Sequence, residues 1–113
     1  MNSLRSVTAE KVEKVVDRII EIARPKKVIL FGSYIKGTMR GLSDLDILVV
    51  GRDDIKSVRK ESVRIREALE DIIMPMDILV VRESHFERSK DKPGLIYREA
   101  LRTGKIVYET QKV

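Results

Sequence analysis

The chain reads as an α/β protein, a single domain in which a small mixed β-sheet of three to four strands is flanked by helices. Three observations predict this. Short apolar runs at residues 27–31, 45–50 and 76–81 have the length of strands. The stretches between them carry apolar residues at helical spacing, and strands alternating with helices place a sheet between helical layers. A length of 113 residues suffices to bury one core and is too small for two.

Each element follows in order. Thr8 is suited to cap a helix whose first turn carries Glu10 and whose Val12, Val15, Val16, Ile19, Ile22 and Ala23 share one face. Pro25 disfavours helix at Arg24 and ends it. Residues 27–31 form a strand, apolar from Val28 on, as expected where both faces are covered. After Gly32-Ser33, residues 34–39 have room for a turn or two of helix interrupted by Gly37. Gly41 and Ser43 mark a loop, and residues 45–50 are the second strand. Asp53 or Asp54 then caps a long helix with Ile55, Val58, Ile65, Leu69 and Ile72 on one stripe, Ser62 at the remaining stripe position and Arg66 among the outer charges. Met74-Pro75 breaks it, and residues 76–81 form a third strand with Asp77 near its start. Ser84-His85-Phe86-Glu87 matches a capping box and predicts a short helix starting there. Asp91 to Gly94 is a turn, residues 95–102 a helix closed by Gly104, and residues 105–108 a last strand. The stripe Leu95, Ile96, Ala100 and Leu101 is expected in the core, the three tyrosines are expected to pack, and His85 is expected at the surface.

Composition narrows the chemistry. There are no cysteines and one histidine, so disulfides, thiolate zinc sites, cysteine nucleophiles and histidine-rich metal sites are excluded. Any metal would be a hard ion held by carboxylates, which points to magnesium or manganese. The net charge of +5 is evenly spread, with 11 basic and 8 acidic residues in 1–56 and 12 and 10 in 57–113. With no basic tail, charge argues only weakly for a nucleic-acid partner. No apolar run approaches the roughly 20 residues that span a bilayer, and residues 1–6 lack the apolar centre of a signal peptide, so the expectation is a cytoplasmic protein with no membrane partner. The 36% charged content, with one Asn and one Gln, resembles that of a thermophile's protein.

The chain is organised around residues 31–50. Alternate strand residues point the same way, roughly 6–7 Å apart at their Cα atoms, so Asp44 and Asp46 aim two carboxylates at one point. Such a pair repels unless a cation lies between its members, and two magnesium ions about 3.5–4 Å apart clamped there would drive an in-line phosphoryl displacement. A lone Asp-x-Asp is more often a polar strand entrance, but this one runs into a six-residue apolar strand. Gly32-Ser33 stands where a strand gives way to a helix, the usual place for phosphate-binding amides. For Gly-Ser alone an ordinary turn would be the better reading. It is not a P-loop, since Thr38 occupies the lysine position, and it is not Gly-x-Gly-x-x-Gly. The sheet would bring Gly32-Ser33, Asp44, Asp46 and Asp77 to one end.

Gly-Ser, ten residues, then Asp-x-Asp arises by chance in such a chain on the order of once in a thousand, from average residue frequencies. The motif resembles the signature of the DNA polymerase β-like nucleotidyltransferases, most closely their minimal members, the MNT domains found as antitoxins beside HEPN-domain toxins. Lys36-Gly37-Thr38 and Ser43 fall where such proteins often carry Arg-Gly-Thr and Ser. The resemblance spans about residues 8–109. It implies the nucleotidyltransferase fold, with Gly32 and Ser33 holding the triphosphate of ATP and Asp44 and Asp46 ligating Mg2+ in a two-metal site. Asp77 matches the family's third carboxylate, a metal ligand or the base for the attacking hydroxyl. Lys36 or Arg40 could neutralise the triphosphate, although an ordinary solvated charge is the better reading of either.

The implied reaction transfers AMP from ATP to a hydroxyl and releases pyrophosphate. Since 113 residues leave no room for an acceptor-binding domain, the expected acceptor is a macromolecule, by the resemblance a tyrosine of a HEPN ribonuclease toxin. Association as a homo- or hetero-oligomer would accompany this. The alternatives are a non-catalytic antitoxin that neutralises its partner by contact, and nucleotidyl transfer to a small molecule or an RNA end.

Overall fold

The computed structural model describes residues 6–37 and 44–110. In chain order the elements are α1 (Ala9–Ala23), β1 (Lys27–Phe31), α2 (Ser33–Lys36), β2 (Leu45–Gly51), α3 (Val58–Ala68), β3 (Met76–Arg82), α4 (Glu83–Ser89), α5 (Ile96–Thr103) and β4 (Lys105–Glu109). The strands form one sheet in the order β3-β2-β1-β4. β1 is antiparallel to both its neighbours, and β2 and β3 are parallel, joined by the crossover through α3. The sheet is therefore mixed, as the sequence predicts.

Both sheet faces are covered, which is why β1 and β2 carry unbroken apolar runs. Val28, Leu30, Leu45, Ile47 and Ile78 face α1 and α3, packing with Val15, Ile19, Ile65 and Leu69. Ile29, Phe31, Leu48, Val50 and Val81 face α4 and α5, packing with Phe86 and Ala100. At α1 the Thr8 hydroxyl accepts from the Lys11 amide, and the helix ends at Arg24 in a left-handed cap before Pro25. The expected face is buried at Val12, Val15, Val16 and Ile19.

Four expectations need correction. The helix after β2 runs from Val58 to Ala68 and is capped by Ser57, whose hydroxyl accepts from the Lys60 amide. Asp53 and Asp54 do not cap it. The Asp53 carboxylate instead accepts from the backbone N–H of Ser84 at 2.9 Å, in the first turn of α4. That contact also replaces the expected capping box: α4 begins at Glu83, so Ser84 lies inside the helix and caps nothing. Beyond Ala68 the chain tightens into i→i+3 turns, with Leu69 donating to Arg66 and Ile72 to Leu69, which bury Leu69 and Ile72 without continuing the helix. The fourth correction concerns α5. Ala100 is fully buried and Leu101 packs on the core, but Leu95 and Ile96 are exposed, and the first turn of the helix meets the core through Tyr97 instead.

The tyrosines Tyr34, Tyr97 and Tyr108 pack against the core, and His85 is exposed with its ring edge-on to Tyr97, as expected. Gly37 closes α2 in a left-handed conformation. The expected extension of that helix to Met39, the loop at Gly41 and Ser43, and Arg40 lie outside the described residues.

Candidate active site

β1 ends, and β2 and β3 begin, at the same edge of the molecule, because β1 runs antiparallel to β2 and β2 parallel to β3. Register does the rest. Phe31, the residue before Gly32, pairs with Asp46, and Asp46 pairs with Asp77. Paired residues share a face of a sheet and successive ones alternate. Asp46 and Asp77 therefore project to the α4–α5 side with Leu48 and Val81, while Leu45, Ile47 and Ile78 point into the opposite core. Asp44 stands one residue ahead of β2 and is exposed.

Burial pushes the Asp46 carboxyl above the usual carboxylate range, and the charges of Asp77 and then Asp44 push it further the same way. Gly32 is fitted against this carboxylate. Its φ of 84° and ψ of −160° suit only glycine, and a Cβ there would overlap Asp46 Oδ2 and stand 3.0 Å from its Cγ. Gly32 and Ser33 are thus brought to Asp46, at the start of α2, where the Lys36 amide donates to the Gly32 carbonyl. Lys36 is exposed, and its ammonium lies 3.5 Å from Glu99 of α5.

Asp77 has a partner that sequence reading did not foresee. Its carboxylate, 71% exposed, lies 3.5 Å from Arg66 of α3. The same guanidinium nitrogen donates to the Ile78 carbonyl at 3.3 Å. Nothing local marks Arg66, which reads as one outer charge among several. Only the parallel packing of β3 against β2, with α3 crossing between them, brings it to Asp77.

Among the described residues, no three carboxylate, histidine or cysteine side chains converge into a ready-made metal cage. The donor set nevertheless suits a hard divalent cation. It offers only carboxylate oxygens, one carboxylate disfavoured as an ion by burial and then by its neighbours, and another engaged by a guanidinium. Among the described residues no helix is long and apolar enough to cross a membrane.

A family model described as polymerase beta, nucleotidyltransferase matches residues 10–113. No curated protein matches. Among solved structures, a putative nucleotidyltransferase from Sulfolobus solfataricus is 19% identical with a TM-score of 0.61, the match covering 88% of this chain and 78% of that one. A toxin-antitoxin with AMP-PNP is 22% identical with a TM-score of 0.56, covering 93% of this chain and 76% of that one. A variant of the toxin-antitoxin MntA-HpeT is 22% identical with a TM-score of 0.58, covering 94% and 76%. At such identities the likeness is one of fold.

Proposed function

The chain belongs to the polymerase beta nucleotidyltransferase family, and we propose that it is a magnesium-dependent adenylyltransferase that moves AMP from ATP onto a hydroxyl of a partner protein. The observation that carries this reading is the meeting of Asp44, Asp46 and Asp77 with Gly32-Ser33 at one end of the sheet. A backbone turn suited to phosphate beside carboxylates suited to a divalent metal is what binding a nucleoside triphosphate with its metal requires.

In this reading Gly32 and Ser33 hold the triphosphate, and Asp44, Asp46 and Asp77 hold Mg2+, which when bound neutralises charge and polarises the phosphoryl oxygens. Asp77, whose carboxylate is solvent-exposed, would also take the proton of the attacking hydroxyl. The acceptor oxygen forms a bond to the α-phosphorus, the bond from that phosphorus to the bridging oxygen of pyrophosphate breaks, and pyrophosphate leaves. Most of the rate would come from positioning and electrostatics, as in phosphoryl transfer generally.

A structurally similar toxin-antitoxin carries AMP-PNP, an ATP analogue, which supports ATP as substrate and a toxin as partner. The partner proposed here is a HEPN-domain ribonuclease whose tyrosine receives AMP and is thereby silenced. Working in the cytoplasm follows from that partnership. The second reading, neutralisation by contact alone, is favoured by one observation, the absence of a finished metal cage among the described residues.

ATP labelled at the α-phosphate, with Mg2+ and the product of the adjacent gene, separates the two. Label on that protein, lost with Asp44→Asn, is the expected result. Tight binding without label would overturn adenylyl transfer in favour of contact alone.

A further inference from the structure

We propose that the outer face of α5 is the surface on which the acceptor protein docks, and that it takes a segment presenting an apolar side chain beside acidic ones. The inference rests on the protein-acceptor reading above and adds to it where that protein binds and by what chemistry.

α5 has two unlike faces. Tyr97, Ala100 and Leu101 turn to the sheet, while Leu95, Ile96, Arg98, Glu99 and Arg102 are exposed and, with Gly94, line an open groove of about 390 Å3. Single exposed apolar side chains are ordinary on a protein surface. Leu95 and Ile96 are adjacent, whereas Val63, Ile73 and Ile106, the other large exposed apolar residues among those described, stand apart in the chain. Apolar side chains grouped in the open are the usual mark of an interaction site. Beyond this pair the groove is basic. Glu99 is engaged by Lys36 at 3.5 Å, which leaves Arg98 and Arg102, one turn apart, with no carboxylate partner among the described residues.

The groove leads to the candidate site. Asp46 and Asp77 project to the α4–α5 side of the sheet, and Glu99 joins α5 to Lys36, the last residue of α2. Gly104, which closes α5, lies so near the end of β1 that a Cβ on it would stand 2.6 Å from the Leu30 carbonyl oxygen. From Leu95 to Arg102 the helix rises roughly 10 Å. A protein seated on Leu95 and Ile96 therefore holds its neighbouring surface at the rim of the site, where a hydroxyl has to be delivered. Charge complementarity names the occupant: acidic side chains to meet Arg98 and Arg102, around an apolar one to cover Leu95 and Ile96. A second copy docked by the same face about a twofold axis would set arginines against arginines. A nucleic acid would use the arginines and leave the apolar pair wet.

The test measures binding of the full chain to the product of the adjacent gene, together with transfer of labelled AMP. Leu95→Ser with Ile96→Ser should weaken binding about tenfold. Arg98→Gln with Arg102→Gln should weaken it about fivefold and flatten its salt dependence. In the transfer reaction both pairs should raise KM for the partner and leave kcat and the KM for ATP near wild type, since docking serves ground and transition states alike. Val63→Ser, comparably exposed on α3, should change nothing. If the apolar pair fails to fold by circular dichroism, Leu95→Ser alone repeats the comparison. Benzoylphenylalanine in place of Leu95 should crosslink to an acidic stretch of the partner. Undiminished binding by both paired variants, with transfer intact, overturns the docking surface and leaves the transferase reading standing. Loss with the arginine pair alone, alongside arginine-dependent binding of a poly(U) oligonucleotide, overturns it in favour of a nucleic-acid surface. Two copies crosslinked through Leu95 overturn it in favour of self-association. A wild type that neither binds nor labels the gene product brings down the protein-acceptor reading and this surface with it.

Discussion

Gly32 meets two demands at once: a backbone conformation open to glycine and a carboxylate pressed against its α-carbon. Alanine there would have to adopt a strained φ, at a cost of about 1–3 kcal/mol, and would displace Asp46 as well. Gly32→Ala should therefore lower both stability in urea unfolding and Mn2+ affinity without nucleotide present. Loss of nucleotide binding with Mn2+ affinity intact would mean that the glycine serves only the phosphate. Asp46 makes its own prediction. Its folded-state pKa lies above the unfolded value, so whatever stability it contributes is present below the ordinary carboxylate range and is lost as pH rises through the raised value. At neutral pH without metal the ionised group burdens the fold. Asp46→Asn should raise Tm in EDTA at pH 7, and Mg2+ should raise the wild-type Tm more than the variant's. A variant that melts lower in EDTA would show that its carboxylate is already compensated. At this scale the sequence marked Asp44 and Asp46 by their spacing, and the charge of Asp44 does reach Asp46; it was silent about Arg66, whose contact depends on a register no local pattern reveals.

Helix ends show where local reading stops. The α1 cap at Thr8 was legible because its acceptor and donor lie three residues apart. Before α3 the sequence reading takes Asp53 or Asp54 as the cap and passes over Ser57, although all three residue types cap well. Ser57 takes the role because Asp53 is drawn 31 residues along the chain, to the Ser84 amide. Ser57→Ala should cost about 1 kcal/mol, as losing a helix cap does, measured by urea unfolding. Asp53→Ala should also lower the unfolding midpoint, while Asp54→Ala should leave it near wild type. The Ser84 backbone N–H, foremost among several contacts, holds the Asp53 carboxyl below the usual range. Its contribution is thus present at neutral pH and fades on acidification through that lowered value. Equal effects of the two aspartates would contradict the cross-chain cap.

The molecule as a whole is a sheet sealed on both faces, and its site stands where the sealing stops. Asp46 and Asp77 lie on the same face as Leu48 and Val81, so the row of apolar residues facing α4 and α5 ends in carboxylates at the start of β2 and β3. The unbroken apolar runs predicted two covered faces, but which helices cover which face depends on the crossover through α3, and the sequence alone did not show it. Neither did it show that α5 leaves Leu95 and Ile96 exposed, since helical spacing marks a stripe without saying how much of it meets the sheet. The two-sided core has a direct test in adjacent residues of β2. Ile47 and Leu48 are both fully buried, one in each core. Ile47→Ala and Leu48→Ala should each cost about 2–5 kcal/mol. In a sheet with one wet face, one of these neighbours would be nearly silent, so a large difference between them in urea unfolding would refute the covering by α4 and α5. Comparable losses would mean that the strand carrying Asp46 is clamped from both sides, and that this carboxylate is presented from a rigid strand rather than from a loop.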